Sequence, residues 1–162
     1  MFGGWYTKGI PPGLLQVIPN DGNVFDDGGW DGYPTTRNML LDSITAWHLD
    51  NCVFISGDAH MSFAMDLCKN PQNPLLYDPE TGKGSLGVEF LPASISRGNF
   101  DEQGVPESIA NLFISINKKA NPHHYLNDFT RHGYGMLTFT EDSLVAQIFY
   151  CKKETLDYAK VS

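Results

Sequence analysis

Asp58 and His60 lie two residues apart in the segment "FISGDAHMS", Phe54 to Ser62, and their types suit chemistry at a cation. A carboxylate oxygen is a hard donor and an imidazole nitrogen a softer one; the combination suits iron, zinc or manganese. The carboxylate can also bridge to a second ion, and ions held as a pair activate water for hydrolysis. Gly57 permits a sharp backbone turn just before them. In extended geometry residues i and i+2 project to the same side, so both side chains can converge on one point. The same letters also describe a capping Asp beside a hydrogen-bonded His at a strand end, and two ligands do not complete a metal site.

Two further clusters carry polar chemistry. "DDGGWDGYPTTR", Asp26 to Arg37, places Asp31 between Trp30 and Gly32. Oxygen-rich loops of this kind hold calcium, and they are also ordinary turn composition. "NPHHYLNDFTRHGY", Asn121 to Tyr134, contains His123, His124 and His132 together with Arg131. Such residues can contact phosphate or orient a ligand. His124 and His132 read more simply as solvated loop residues. The cysteines Cys52, Cys68 and Cys151 are odd in number and lack metal-finger spacing. Small buried or half-buried thiols are expected, and a disulfide framework is not.

These residues need elements to position them. With 162 residues, 41% of them hydrophobic, the chain can bury the core of one globular unit. Residues 1–33 are broken by Gly and Pro and read as an ordered surface loop. Thr35 or Thr36 is the expected cap of a helix with Leu40, Leu41, Ile44 and Trp47 on its apolar face, ending near Leu49 to Asn51. The apolar run Cys52 to Ile55 predicts a strand buried on both faces. Asp58 and His60 then fall at a strand's carboxyl end, where α/β enzymes commonly carry their chemistry. Residues 69–85 form a Pro-, Asn- and Gly-rich excursion, and Gly87 to Leu91 is a second strand. Ile109, Leu112, Phe113 and Ile116 recur at helical spacing from Glu107 to about Lys119. Gly133 to Phe139 and Leu144 to Tyr150 predict a hairpin joined by Thr140 to Ser143. Without repeats or a clear linker, the chain reads as one α/β (α+β) unit over 1–162.

Charge narrows the partners. A net charge of -8, from 19 acidic and 11 basic residues, repels nucleic-acid backbones and anionic lipid, so neither is an expected partner. A small phosphate ester remains compatible, because bound cations invert the local potential. No stretch approaches the roughly 18 apolar residues of a membrane span. The opening residues lack the charged and apolar regions of a signal peptide, and the compartment stays open.

Taken in order, "GGWDGYPTTRNMLLDSI", "NCVFISGDAHMSFAMDL", "LGVEFLPASIS" and "NPHHYLNDFTRHGYGMLTFTEDSLVAQIFY" resemble the C-terminal part of the PhoD-like alkaline phosphatases, over about residues 28–150. The resemblance implies a branch of the metallophosphoesterases. It also implies part of a β-sandwich flanked by helices, with metal ions at the strand ends. Members hydrolyse phosphomonoesters and often phosphodiesters, with iron and calcium as the associated metals. The family's G-D-x-H motif falls on Gly57, Asp58 and His60, making Asp58 and His60 metal-ligand candidates. Its W-D-G-Y motif falls on Trp30 to Tyr33, making Asp31 a possible calcium ligand. Its N-P-H motif falls on Asn121 to His123. Tyr33, Arg37, Asn121 and His123 thereby become candidates for contacting substrate or orienting a ligand. The family's N-terminal half brings a G-D-Y-I-Y-E-like strand end, a D-D-H-E-like motif and a nearby Cys. None of these occurs here. The expectation is therefore phosphoric ester hydrolysis that is incomplete and weak in this chain alone, completed by the missing half or attended by self-association. A non-catalytic binding or scaffold module, or a small metal-binding domain, is the alternative.

Overall fold

The computed structural model describes residues 29–153 apart from residue 101. Most of the segment read as a loop at 1–33 lies outside the described residues. A 3-10 turn, Trp30–Gly32, leads into the first helix, Pro34–Ala46 (α1). Pro34 occupies the first helical turn, where its fixed φ suits the helix and its missing N–H costs nothing. The N-cap is Tyr33, which makes no side-chain capping bond, and the expected caps Thr35 and Thr36 lie inside the helix. At the other end His48 takes φ 53. The Leu49 N–H then donates to the Ile44 carbonyl at 3.0 Å and the His48 N–H to the Thr45 carbonyl at 3.3 Å, a Schellman closure. The helix thus stops ahead of the Leu49 to Asn51 end expected from spacing. Trp47, expected on the apolar face, is exposed.

Val53–Ile55 (β1), Ser62–Leu67 (β2), Gly87–Leu91 (β3) and His124–Asp128 (β4) build a four-stranded sheet in the order β1-β3-β2-β4. The β1–β3 pair is parallel and the others are antiparallel. A second helix, Glu107–Ala120 (α2), connects β3 to β4. The remaining strands, His132–Phe139 (β5) and Leu144–Cys151 (β6), pair as the expected antiparallel hairpin, from His132↔Cys151 to Phe139↔Leu144. Gly133 is required there, since a Cβ at that position would stand 2.1 Å from the Phe149 carbonyl oxygen. Among the described residues the architecture is α+β, with two sheets and two α-helices.

The strand buried on both faces is not β1. Among the described residues that strand pairs on one side, with β3, and Ile55 is 66% exposed. Its expected place is taken by β2, which sits between β3 and β4 and buries Ser62, Phe63, Met65, Asp66 and Leu67. Along the β2–β4 pair, Ala64 faces Leu126 and Met65 faces His124, leaving Tyr125 as an extra residue in a β-bulge.

The main core joins Phe63 and Met65 of β2, Leu91 of β3, Phe113 of α2 and Phe129, with Phe100 packed on its rim. Phe129 stands 5.6 Å, centroid to centroid, from each of Phe63, Phe100 and Phe113. Truncating one such ring to Ala costs about 3–5 kcal/mol. α2 meets this core through Phe113 and Ile114 and also buries Ala110, Asn117 and Ala120. Ile109 and Leu112, expected on the buried face, are exposed, because the buried stripe runs through Ala110, Phe113, Asn117 and Ala120 instead. Leu41 of α1 packs with Leu67, Leu40, Phe54 and Leu86 in a second cluster.

A candidate metal-binding loop at the end of β1

Past Ile55 the chain stays paired for one more residue: the Ser56 N–H donates to the Phe90 carbonyl at 3.1 Å. The Ser56 hydroxyl also donates to the buried Glu89 carboxylate. Residues 57–61 then turn between β1 and β2. Asp58 has φ 72 and His60 has φ 60, so two non-glycine residues hold left-handed backbone within one short loop. Each such residue costs about 1–2 kcal/mol, somewhat less for Asp. Gly57 is not the residue that makes the turn. It is absent from the left-handed set, and a Cβ there would meet nothing within 4 Å. Nor is the pair extended, so the alternation argument for convergence is replaced by a strained turn that carries both donors.

Ala59 and Met61 pack against the Phe63 cluster and anchor this turn. Asp58, just ahead of them, is exposed, and His60, between them, is half-buried. Neither side chain has a hydrogen-bond partner among the described residues. The His60 backbone is held instead, its carbonyl accepting from Asn99 Nδ2 at 3.2 Å.

The other sequence candidates lie elsewhere in the fold. Asp31 is buried in the 3-10 turn. Arg37 is buried on α1 and donates from Nη2 to the Cys68 carbonyl at 3.3 Å. Tyr33 is exposed at the α1 N-cap. Asn121 is buried and donates to the Asn117 carbonyl at 2.9 Å and to Asn117 Oδ1 at 3.0 Å, closing the end of α2. His123 is buried, its ring centroid 4.3 Å from that of His124. Asp31, Asp58 and His60 do not meet, and among the described residues no three His, Cys, Asp or Glu side chains gather as a metal site would require. The donor types at Asp58 and His60 fit a hard or borderline cation; their number does not complete its coordination.

His124 and His132 are not solvated loop residues. β4 begins at His124, whose Nδ1 lies 2.8 Å from Asn127 Oδ1 and whose ring sits edge-on to Phe63. His132 Nε2 lies 3.2 Å from Glu102 Oε2. Glu102 also accepts from the Asn99 N–H at 2.9 Å, and this bond, with Lys153 and His132 nearby, holds its carboxyl below the usual carboxylate range. Two groups escaped the sequence reading altogether. One is this Asn99–Glu102 knot, whose signal is Gly98: a Cβ there would crowd Glu102 Oε2 at 3.1 Å. The other is Asp66, which accepts from the hydroxyls of Tyr77 at 2.8 Å and Tyr125 at 2.7 Å. Beside it, burial pushes the Cys68 thiol up to about 12, opposed by the Arg37 guanidinium and reinforced by Asp66. Cys52, Cys68 and Cys151 are all free thiols, as expected. No helix of the described residues is long and apolar enough to cross a membrane.

Residues 10–148 match the family model of the PhoD-like phosphatases. Alkaline phosphatase D of Bacillus subtilis (strain 168) is 29% identical over 120 residues, which cover 72% of this chain and 18% of that protein. A solved structure of PhoD superimposes with a TM-score of 0.56 at 21% identity, covering 100% of this chain and 30% of that one. The α+β arrangement is therefore shared with PhoD, and the chain spans less than a fifth of the length of its curated relative. Since the match runs through the α1, β1–β2 loop and hairpin segments alike, the chain belongs to the PhoD-like phosphatase family.

Proposed function

We propose that this chain carries part of the apparatus for metal-dependent hydrolysis of phosphoric esters, mono- or diesters, and is completed by the rest of a PhoD-like catalytic domain. Asp58 and His60 would donate to one metal, and Asp31 would serve a calcium ion. Tyr33, Arg37, Asn121 and His123 would contact the ester or orient the ligands. Iron and calcium are the ions the family resemblance favours. Such ions supply charge neutralisation at the phosphoryl group and acidify water. This chain's own part is to hold one carboxylate and one imidazole unpartnered on a rigid turn.

The observation that carries the reading is the strained Asp58–His60 turn at the end of β1, with both side chains left open among the described residues. Backbone strain of this sort persists where surrounding packing over-determines it, and it clusters at functional sites. The exposed edge of β1, with Ile55 uncovered, suits a missing neighbour. Two donors alone hold an ion weakly and at no fixed separation from a second.

The test is hydrolysis of p-nitrophenyl phosphate with iron and calcium present. The chain alone should show little turnover. Mixed with the N-terminal portion of alkaline phosphatase D from Bacillus subtilis, it should gain activity that Asp58→Ala or His60→Ala removes. Turnover at rates typical of enzymes from the chain alone would overturn the incompleteness. Activity in the mixture that survives both substitutions would overturn the site.

A further inference from the structure

Asn99 is 1% exposed and lies between three segments that are distant in sequence. Its Nδ2 donates to the His60 carbonyl at 3.2 Å and to the Arg131 carbonyl at 3.1 Å. Its Oδ1 accepts from Lys153 Nζ at 2.8 Å. The orientation of the amide is fixed by its partners: carbonyls only accept, an ammonium only donates, so the NH₂ must face the two loops and the oxygen must face Lys153. Both amide hydrogens are used. A buried amide satisfied on every side is rigid, and losing one bond leaves a desolvated group behind.

From this we infer that Asn99 is a positioning residue for the Asp58–His60 turn. By gripping the His60 carbonyl it holds the left-handed backbone at φ 60 and thereby fixes where the imidazole points. By gripping Arg131 with its other hydrogen it ties that turn to the segment between β4 and β5, where Asp128 accepts from the Thr130 and Arg131 N–H groups at 3.1 and 2.9 Å. Glu102 braces Asn99 in turn by accepting its backbone N–H. Two loops from different strands are thus set relative to each other by one side-chain amide. The inference rests on the metal-site reading only for what the turn does once positioned.

Asn99→Asp tests it, because the carboxylate keeps the acceptor for Lys153 and turns an oxygen toward both carbonyls. Lys153→Gln is the matched control, removing the ammonium while leaving both donations in place. In the 15N-labelled chain, Asn99→Asp should shift and broaden the amide resonances from Asp58 to Met61, and Lys153→Gln should leave them near their native positions. Affinity for Mn²⁺, read by relaxation of the His60 ring protons, should fall about tenfold or more in Asn99→Asp, the scale of ligand-orienting contacts, with little change in Lys153→Gln. Unmoved Asp58–Met61 amides in a folded Asn99→Asp protein would overturn the inference. So would unchanged Mn²⁺ affinity in that variant if Asp58→Ala abolishes binding. If the parent chain binds no Mn²⁺, the metal reading of this chain fails, and Asn99 is judged on the amides alone.

Discussion

Asp58 and Asp66 stand on either side of the start of β2 and contrast in every physical respect. Asp66 sits on a regular strand, 5% exposed, with one carboxylate oxygen accepting from two tyrosine hydroxyls. Asp58 sits on a left-handed turn, exposed, with no partner for its side chain among the described residues. A buried carboxylate is tolerable only when its lone pairs are filled, so Asp66 belongs to the scaffold. An open carboxylate on strained backbone gives the fold little and costs it conformational energy. Saturation marks structure here, and unsatisfied valence with strain marks the candidate site.

The largest test of this contrast is Asp66→Ala. It leaves the hydroxyl of the buried Tyr77 without its acceptor and should lower unfolding stability by about 3 kcal/mol in urea titration. Asp58→Ala breaks no side-chain bond and gives up only the milder left-handed cost of Asp, so it should lose about 1 kcal/mol or less. Equal losses at the two positions would erase the distinction. His60→Gly is a finer probe. Relief of left-handed strain, about 1–2 kcal/mol, opposes the added chain entropy of glycine, about 0.5–1 kcal/mol. Stability should therefore hold or rise by up to about 1.5 kcal/mol while Mn²⁺ binding is lost. A clear loss of stability would mean that the His60 ring is part of the scaffold after all.

Cys68 gives the smallest effect and sharpens the sealed side of the comparison. Its thiol is raised in the folded protein from 9.0 to about 12, chiefly by burial. The neutral form is favoured by folding, so this contribution is complete below pH 9 and is lost as pH climbs from there toward 12. Unfolding midpoints at about pH 8 and about pH 10.5 should fall less steeply in Cys68→Ala than in the parent chain. Thiol reagents should label Cys52 and Cys151 ahead of Cys68, which has no exposed surface.

Periodicity made α1, α2, β3 and the β5–β6 hairpin readable, since each is long enough or bounded enough for its pattern to show. β2 and β4 escaped. "SFAMDL" does alternate, but Ala, Met, Asp and Leu carry little strand preference, and pairing on both sides decides its state. "HYLND" resembles turn composition, and its bulge breaks the alternation a strand would display. The Asp58 and His60 pair was visible as letters, yet their backbone was not, because left-handed φ at two non-glycines is imposed by the packing of Ala59 and Met61 and the grip of Asn99. Burial of His124 and His132 likewise follows from packing and pairing: His124 sits edge-on to Phe63 and beside Asn127, and His132 meets Glu102 across the fold.

Tyr125, the surplus residue of β4, has a reach beyond its own hydroxyl. Because it is skipped in the ladder, His124 stands opposite Met65 and the Asp66 N–H pairs with the His123 carbonyl. Excising Tyr125 would restore one-to-one pairing with His124 still opposite Met65, straightening the strand locally while leaving the register upstream unchanged. The bulge therefore governs how β4 bends at this point and not which face its residues present, and the pairing that leads back toward α2 does not depend on that one tyrosine.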